Sequence, residues 1–560
     1  MVRAVSFDLF DTLVTRPFVR PTDLFRLLEQ EAGRPGFADA RIGAESRARR
    51  ELGREITLDE IYQRLPEYGD LSDLECSMEM DLSLPNGPMI SRLESFSEDH
   101  PIFITTDMYL PRSVIEGILG KHGITYSRLY ISSETGLTKH DGRLFRHILE
   151  ENGLRPEELL HIGDNRRADL RVPSRMGIRA EHVPSPIERY FREHPDERRF
   201  YRRDRSLTSS IIVAMDMLTE VCGDVWKDIG RRYGGPIAYS FSKFIMDHSD
   251  PDDVLLFTAR DGYSLERCLK SLCDRDSHYV YSQRILADML CGGTVGIAVP
   301  NAMSDQVGYR RALNRMRIRL EFYRKDLGID EVPTDGKELI QLYHDLEDRL
   351  EDLRMTKMES YSDYLKGICA GREVEMVDCT TMKLSSQRLI EEALGRTVHA
   401  HYLVVLGDRY RKADCDMLCR WPHRVIGWER VDIPEFLLCS PEMPLIGWDG
   451  GPVFADGPDF EAYRAEHYQS TSDGELEYVE AVKGIFKDHL PDLDYTVVNR
   501  WVMLSTAKGT RYRDLLKDIR WASGPDHSDW APIVPWDGPV QAFRRLVITF
   551  IQRINETGKH

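Results

Sequence analysis

Four short polar motifs within residues 1–170 constrain this chain more than any other feature, because they mark where buried strands must end. The first, Ser6-Phe7-Asp8-Leu9-Phe10-Asp11-Thr12-Leu13, begins inside the apolar run 4–7. The second, Ile104-Thr105-Thr106-Asp107, closes the run 102–104, and Lys139 stands apart. The last, Gly163-Asp164-Asn165-Arg166-Arg167-Ala168-Asp169, closes the run 159–162. Apolar runs this short, bounded by polar residues and followed by helical patterns, predict buried parallel strands. Ligands of such sheets bind at the carboxyl ends of the strands, so all four clusters are expected to meet in one crevice. Taken singly, each has a bland reading: Asp164, Asp169 and Thr106-Asp107 as turn or cap residues, Lys139 as a solvated side chain. Their order and spacing together overrule those readings.

The quartet resembles the haloacid dehalogenase superfamily, whose members are mostly Mg²⁺-dependent phosphatases and phosphotransferases. The resemblance covers about residues 1–185 and implies an α/β fold, a doubly wound parallel sheet with a helical cap at about residues 14–100. It also implies roles. Asp8 would be the nucleophile, its aspartyl-phosphate splitting one hard displacement into two easier ones. Thr106 would hold a phosphate oxygen, with Asp107 beside it on the substrate. Lys139 would neutralise charge shared by Asp8 and the phosphate, since phosphoryl transfer needs mainly positioning and charge neutralisation. Asp8, the Phe10 carbonyl and Asp164 match the family's metal ligands, with Asp169 a supporting or water-mediated one. Hard oxygen donors of this kind suit Mg²⁺.

One departure matters. The usual phosphatase pattern has a second Asp two places after the nucleophile, acting as general acid and base. Phe10 stands there, and the next acid, Asp11, comes one place later. The dehalogenase branch also has a non-acidic residue at that position, but its typical members lack the acidic pair that Asp164 and Asp169 represent here. The pair favours phosphate chemistry. The missing acid touches a proton transfer typically worth about 10²–10⁴-fold. Three explanations stay open: Asp11 replaces it, the leaving group needs no proton, or the domain binds phosphate without fast turnover.

At 560 residues the chain is expected to hold three or four units. With 41% hydrophobic and 30% charged residues it reads as soluble and globular. A net charge of −18 argues against a general nucleic-acid or anionic-membrane partner; the partner expected is a small phosphorylated metabolite. Ten Cys without a C-x-x-C pair read as reduced, mostly buried thiols; Cys415 and Cys419 are spaced for one face of a helix, with no partners that complete a zinc site. Asp8 arrives before an apolar leader segment could form, and no 18-residue apolar stretch exists for a membrane span. A cytoplasmic protein is expected; the oligomeric state is not legible.

Residues 14–100 read as helical. Thr57-Leu58-Asp59-Glu60 and Ser72-Asp73-Leu74-Glu75 both fit a capping box, and Leu24, Leu27, Leu28, Ile61, Tyr62 and Leu65 keep helical spacing. Arg16, Arg20 and Arg54 are candidates to meet an anionic substrate, or are solvated. Residues 186–235 read as a helical linker: its basic and aromatic residues at 187–192 and 198–203 either bind nucleic acid or form a charged helix whose aromatics dock on the body, the reading the acidic whole favours, and 211–221 reads as a buried helix. A second, Rossmann-like α/β domain is expected over 236–450, with strands at 254–258, 278–281, 375–378 and 400–406. This half is similar to the second part of two-domain bacterial proteins that join a dehalogenase-like domain to an Arg-Asp-Gly-Tyr domain, often associated with surface polysaccharide synthesis. The similarity rests on Arg260-Asp261-Gly262-Tyr263, Asp378 and Glu435. Arg260 and Asp261 would hold a nucleotide-sugar or phosphate, or form an internal ion pair and a glycine turn; Asp378 is a ligand-facing acid or a helix cap. Residues 451–560, with Trp501, Trp521, Trp530 and Trp536, read as an irregular packed appendage.

The leading reading is a Mg²⁺-dependent phosphohydrolase or phosphotransferase acting on a sugar phosphate or glycan precursor. The alternatives are a bifunctional protein with nucleotide-sugar or transferase chemistry in its second half, and a non-catalytic scaffold binding phosphorylated ligands.

Overall fold

In the computed structural model of the protein, the residues described are 1–219, 223–291, 306–381, 384–405, 413–420, 432–455, 459–506, 510–517, 519–522 and 530–534. Trp536 lies outside them. The chain divides into two compact units, one of residues 1–221 and 480–498, the other of residues 222–479 and 499–560.

The sheet of the first unit is parallel throughout. Its strands are β1 (Ala4–Phe7), β4 (Ile102–Thr106), β5 (Arg128–Ile131), β6 (Leu159–Gly163) and β7 (Arg179–His182), in the order β5-β4-β1-β6-β7. Phe7 pairs with Ile104 on one side and Ile162 on the other, so the polar residues that follow all three runs emerge at one level. The centre of the sheet is buried on both faces, which is why its strands read as unbroken apolar runs. A short antiparallel ribbon, β2 (Val14–Thr15) with β3 (Leu84–Pro85), brackets the cap. Four helices lie between the ribbon strands: α1 (Asp23–Ala32), α2 (Phe37–Leu52), α3 (Leu58–Tyr62) and α4 (Ser72–Asp81). The helix α5 (Gly87–Ser97), inside the interval expected for the cap, leads instead into β4 and packs on it.

The two expected capping boxes part ways. At Thr57 the box forms, hydroxyl to the Glu60 amide and carboxylate back to the Thr57 amide. At Ser72 it does not, because the chain enters α4 from the helical turn Pro66–Leu71 and Leu71 is the capping position. Glu75 is drawn inward to Arg41 at 2.7 and 2.8 Å and to the Tyr62 hydroxyl at 2.8 Å. Residues 186–221, expected in a linker, belong to the first unit as helices Pro186–Glu193, Pro195–Arg203 and Leu207–Leu218.

The second unit has its own parallel sheet: β8 (Val254–Thr258), β9 (Ser277–Val280), β10 (Val374–Thr381), β11 (His399–Val405) and β12 (Cys415–Arg420), ordered β12-β11-β10-β8-β9. Cys415 and Cys419 therefore lie on a strand, not on a helix. The strand order reverses between β8 and β10, the topological switch point at which doubly wound sheets bind ligands. Among the described residues, five helices intervene between β9 and β10: Arg284–Leu290, Gln306–Phe322, Arg324–Leu327, Gly336–Asp345 and Glu347–Cys369; the last four gather a small core of their own around Leu320, Tyr323 and Tyr343. The segment expected to be an irregular appendage contains the 28-residue helix Asp459–Phe486. Trp501 is buried, its indole N–H donating to the Arg232 carbonyl at 2.6 Å. Among the described residues, no helix is long and apolar enough to cross a membrane, and every cysteine is free.

Candidate active site

The ends of β1, β4 and β6 bring the predicted quartet together. Asp8 follows β1, Thr106 ends β4, and Asp164 follows Gly163 at the end of β6. Lys139, buried, places its Nζ 2.5 Å from Asp8 Oδ1 and 2.7 Å from Asp169 Oδ1. Carboxylate oxygens of Asp8, Asp164 and Asp169 all lie within 4.8 Å of one another. Gly163 is required here: a Cβ would stand 2.5 Å from Asp169 Cγ. Only a bare backbone lets Asp169 reach past the strand end.

Electrostatics follow from burial. Desolvation, with the charge of Asp169, pushes Asp8 up to about 7 in spite of Lys139. Desolvation followed by the charges of Asp8, Asp11 and Asp169 pushes Asp164 up to about 8. Asp169 is held well below the usual carboxylate range in spite of its burial, by Lys139 and a hydrogen bond with His161. Lys139 is held above its ordinary value by its three acidic neighbours, Asp169, Asp8 and Asp107. The donor set, three carboxylates converging on one point, fits a hard divalent cation.

Asp107, expected on the substrate, lines the cavity and is also held by backbone amides. Its two oxygens accept from the backbone amides of Lys139 at 2.8 Å and His140 at 3.3 Å. It positions the lysine. Asp11 lines the same cavity as Asp8, Thr106, Lys139 and Asp164, and its backbone is left-handed with φ 59°. The cavity has a volume of about 330 Å³, and cap residues Phe25, Glu45, Arg49 and Glu79 line its far side. Arg16 lines it too, donating to both Glu79 oxygens at 2.9 and 3.1 Å. Arg20 and Arg54 are used elsewhere, on Asp23 and Glu60.

Sequence reasoning missed His161. Buried within β6, it joins Ser6 Oγ at 3.0 Å to Asp169 Oδ1 at 3.1 Å, and Ser6 in turn meets Thr105 Oγ1 at 2.7 Å. A polar chain thus runs across three strands beneath the site. The available signal was a histidine inside an apolar strand run, a group that is buried only when partnered.

In the second unit, Asp261 follows β8 and Asp378 lies on β10, one on each side of the switch point. Asp378 accepts from the Cys379 amide at 2.9 Å. Burial, then the charge of Asp378, pushes Asp261 up to about 7, and burial pushes Asp378 up to about 6. Arg260 takes the internal role: buried, it donates to Glu461 at 3.2 Å. Glu435 contributes its charge to the surroundings of Cys379.

No protein-family profile matches the chain. Over 58 residues it is 44% identical to a phosphoserine phosphatase of Thermus thermophilus, a match covering 10% of this chain and 23% of that relative. The chain thus spans about a quarter of that relative's length. Among solved structures, an L-2-haloacid dehalogenase is similar over 34% of this chain and 87% of its own, with 17% identity and a TM-score of 0.27. A HAD family enzyme from Bacteroides thetaiotaomicron is similar over 33% and 94%, with 13% identity and a TM-score of 0.28. The motif quartet converges on the carboxyl ends of one parallel sheet, in a unit that also carries the four cap helices, an arrangement that resembles the haloacid dehalogenase superfamily.

Proposed function

We propose that the first unit is a Mg²⁺-dependent phosphohydrolase or phosphotransferase acting on a small phosphorylated metabolite through an aspartyl-phosphate. The observation that carries this reading is Lys139 Nζ bridging Asp8 and Asp169 at the floor of the 330 Å³ cavity. Asp8, Asp164 and Asp169, with the Phe10 carbonyl, would hold Mg²⁺, which when bound supplies charge neutralisation for the phosphate oxygens. Asp8 Oδ attacks phosphorus, the leaving-group oxygen departs, and water then cleaves the acyl-phosphate. Lys139 keeps Asp8 in its attacking position, Asp107 keeps Lys139 there, and Thr106 offers its hydroxyl and amide to a phosphate oxygen. Mixed charge at the cap side, Arg16 and Arg49 beside Glu45 and Glu79, suits a compact polar substrate such as a sugar phosphate or glycan precursor. The phosphoserine phosphatase likeness supports the same reaction class.

The test is metal-dependent phosphate release from an aryl phosphate and a panel of phosphorylated metabolites. Asp8→Asn should abolish turnover while the protein stays folded, and beryllium fluoride should be trapped only when Asp8 is present. A variant retaining more than about a tenth of the activity would overturn the covalent mechanism.

A second reading concerns the other unit. The acid pair Asp261 and Asp378 at the switch point supports a bound small ligand there, a nucleotide-sugar being one that glycan chemistry would use. A thermal-shift screen of nucleotide-sugars on the full chain, repeated with Asp261→Asn, tests it; a shift that survives the substitution, or none in the wild type, rejects it.

A further inference from the structure

The second unit carries a cluster at the opposite, amino ends of its strands that neither reading uses. His399 and His401 are two apart on β11 and so share a face. Asp416 on β12 stands in register with His401, and Glu375 on β10 in register with His399. One ring nitrogen of each histidine and a carboxylate oxygen of Asp416 lie within 4.8 Å of one another.

The surroundings of the two rings are those that metal-ligating histidines need. A ligating imidazole almost always gives its other ring nitrogen to a carboxylate or carbonyl, which fixes tautomer and orientation. His401 Nε2 meets Glu375 Oε2 at 2.9 Å. His401 Nδ1 is buried with no hydrogen-bond partner, in a side chain that is 0% exposed. His399 Nδ1 meets Asp414 Oδ1 at 2.8 Å, and its Nε2 faces Asp416 Oδ2 at 3.5 Å. Each histidine therefore has one nitrogen anchored on an acid and the other turned toward Asp416 or left open. An unpaired buried nitrogen costs free energy comparable to a lost hydrogen bond, and a cation would remove that cost. His399 and Asp416 are 28% and 51% exposed in their side chains, which leaves a path for an ion.

We propose that His399, His401 and Asp416 form a transition-metal site, with Glu375 and Asp414 as the groups that orient the two imidazoles. Two imidazoles and one carboxylate select Zn²⁺ or a neighbouring divalent ion over Mg²⁺. Three protein ligands leave the fourth tetrahedral position to water or an exogenous ligand. The ion would clip β12, at the edge of the sheet, to β11.

The experiment uses the full chain carrying Asp164→Ala, so that the first unit does not compete, after dialysis against a chelator. Zn²⁺ is titrated by calorimetry, and Co²⁺ by its visible ligand-field absorbance. The expected result is one equivalent bound, a tetrahedral Co²⁺ spectrum, and no binding of Mg²⁺ at this site. His401→Ala and His399→Ala should each lower Zn²⁺ affinity at least about 100-fold, and Glu375→Gln about 10–100-fold. Because His401 is buried, the more exposed Asp416→Asn, checked for folding by circular dichroism, reads the same loss. Absence of stoichiometric Zn²⁺ binding, or affinity unchanged in His399→Ala and Asp416→Asn, would overturn the proposal and leave the cluster as a network of ion pairs.

Discussion

Two places past Asp8, where an acid is usual, the ring of Phe10 lies under the Arg16 guanidinium, 4.1 Å from it. That contact helps hold Arg16 against Glu79 at the cavity wall. The one-place displacement of the next acid would ordinarily aim its side chain elsewhere, since neighbouring residues of an extended chain point in opposite directions. The left-handed backbone at Asp11 offsets this, and Asp is among the residues that tolerate it best. Asp11 consequently shares the cavity with Asp8 and Asp164, and burial raises its carboxyl above the ordinary range although Arg16 opposes the shift. Placement supports Asp11 as the proton donor to the leaving group. Asp11→Asn should then slow substrates with alkoxide leaving groups about 10²-fold or more, and activated aryl phosphates far less. Steady-state kinetics on both classes decide; equal slowing means that Asp11 serves the turn and not the proton.

At the scale of elements, the second unit depends on how closely two helical segments approach. A Cβ on Gly230 would stand 1.9 Å from the Thr471 carbonyl oxygen, and one on Gly474 would stand 2.0 Å from the Lys227 carbonyl oxygen. Both obstacles are backbone, which cannot rotate away. Gly230→Ala should therefore cost at least the upper end of the usual overpacking range, about 3 kcal/mol, read as a lower midpoint in urea; a loss below about 1 kcal/mol would show that the helices separate freely. Along the same helix Asp459–Phe486, Glu475 is fully buried and neither carboxyl oxygen has a hydrogen-bond partner. The Ser264 hydroxyl that faces it is bonded to Ser472 Oγ at 2.7 Å. Burial raises the Glu475 carboxyl well above its ordinary value of 4.5. The folded chain then holds a proton that the unfolded chain releases, so this group's contribution is intact below about pH 4.5 and declines as pH rises toward the folded value. Glu475→Gln removes the titration. Its stability relative to wild type should rise above about pH 5, by up to about 1.4 kcal/mol per pH unit while the folded carboxyl stays protonated. A difference that is flat across that range would mean that Glu475 is not protonated in the folded state.

For the whole molecule, the first unit is not built from the first part of the chain alone. Residues 480–498 belong to it: Phe486 packs edge-on against Phe18 at 6.1 Å, and His489 meets Glu31 at 2.7 Å. Phe486→Ala should destabilise that unit by about 3–5 kcal/mol and lower the temperature at which the proposed phosphatase activity is lost, although the substitution lies far along the sequence from Asp8. An unchanged inactivation temperature would show that the unit folds without this return segment. The motifs could not announce it. Short apolar runs and the acids that follow them are local signals, and they sufficed to place β1, β4, β6 and the quartet, because a strand buried on both faces must be apolar and must end where the polar ligands begin. Asp261, past the end of β8, was legible in position for the same reason; Asp378 instead lies inside β10, which runs on to Thr381. What tertiary structure alone decided depends on partners distant in sequence. Glu75 left its expected cap for Arg41, Asp107 gained the backbone amides of the Lys139 loop, and His161 entered the core to reach Asp169. Gly474 sits within the helix Asp459–Phe486, where the Lys227 carbonyl leaves no room for a Cβ.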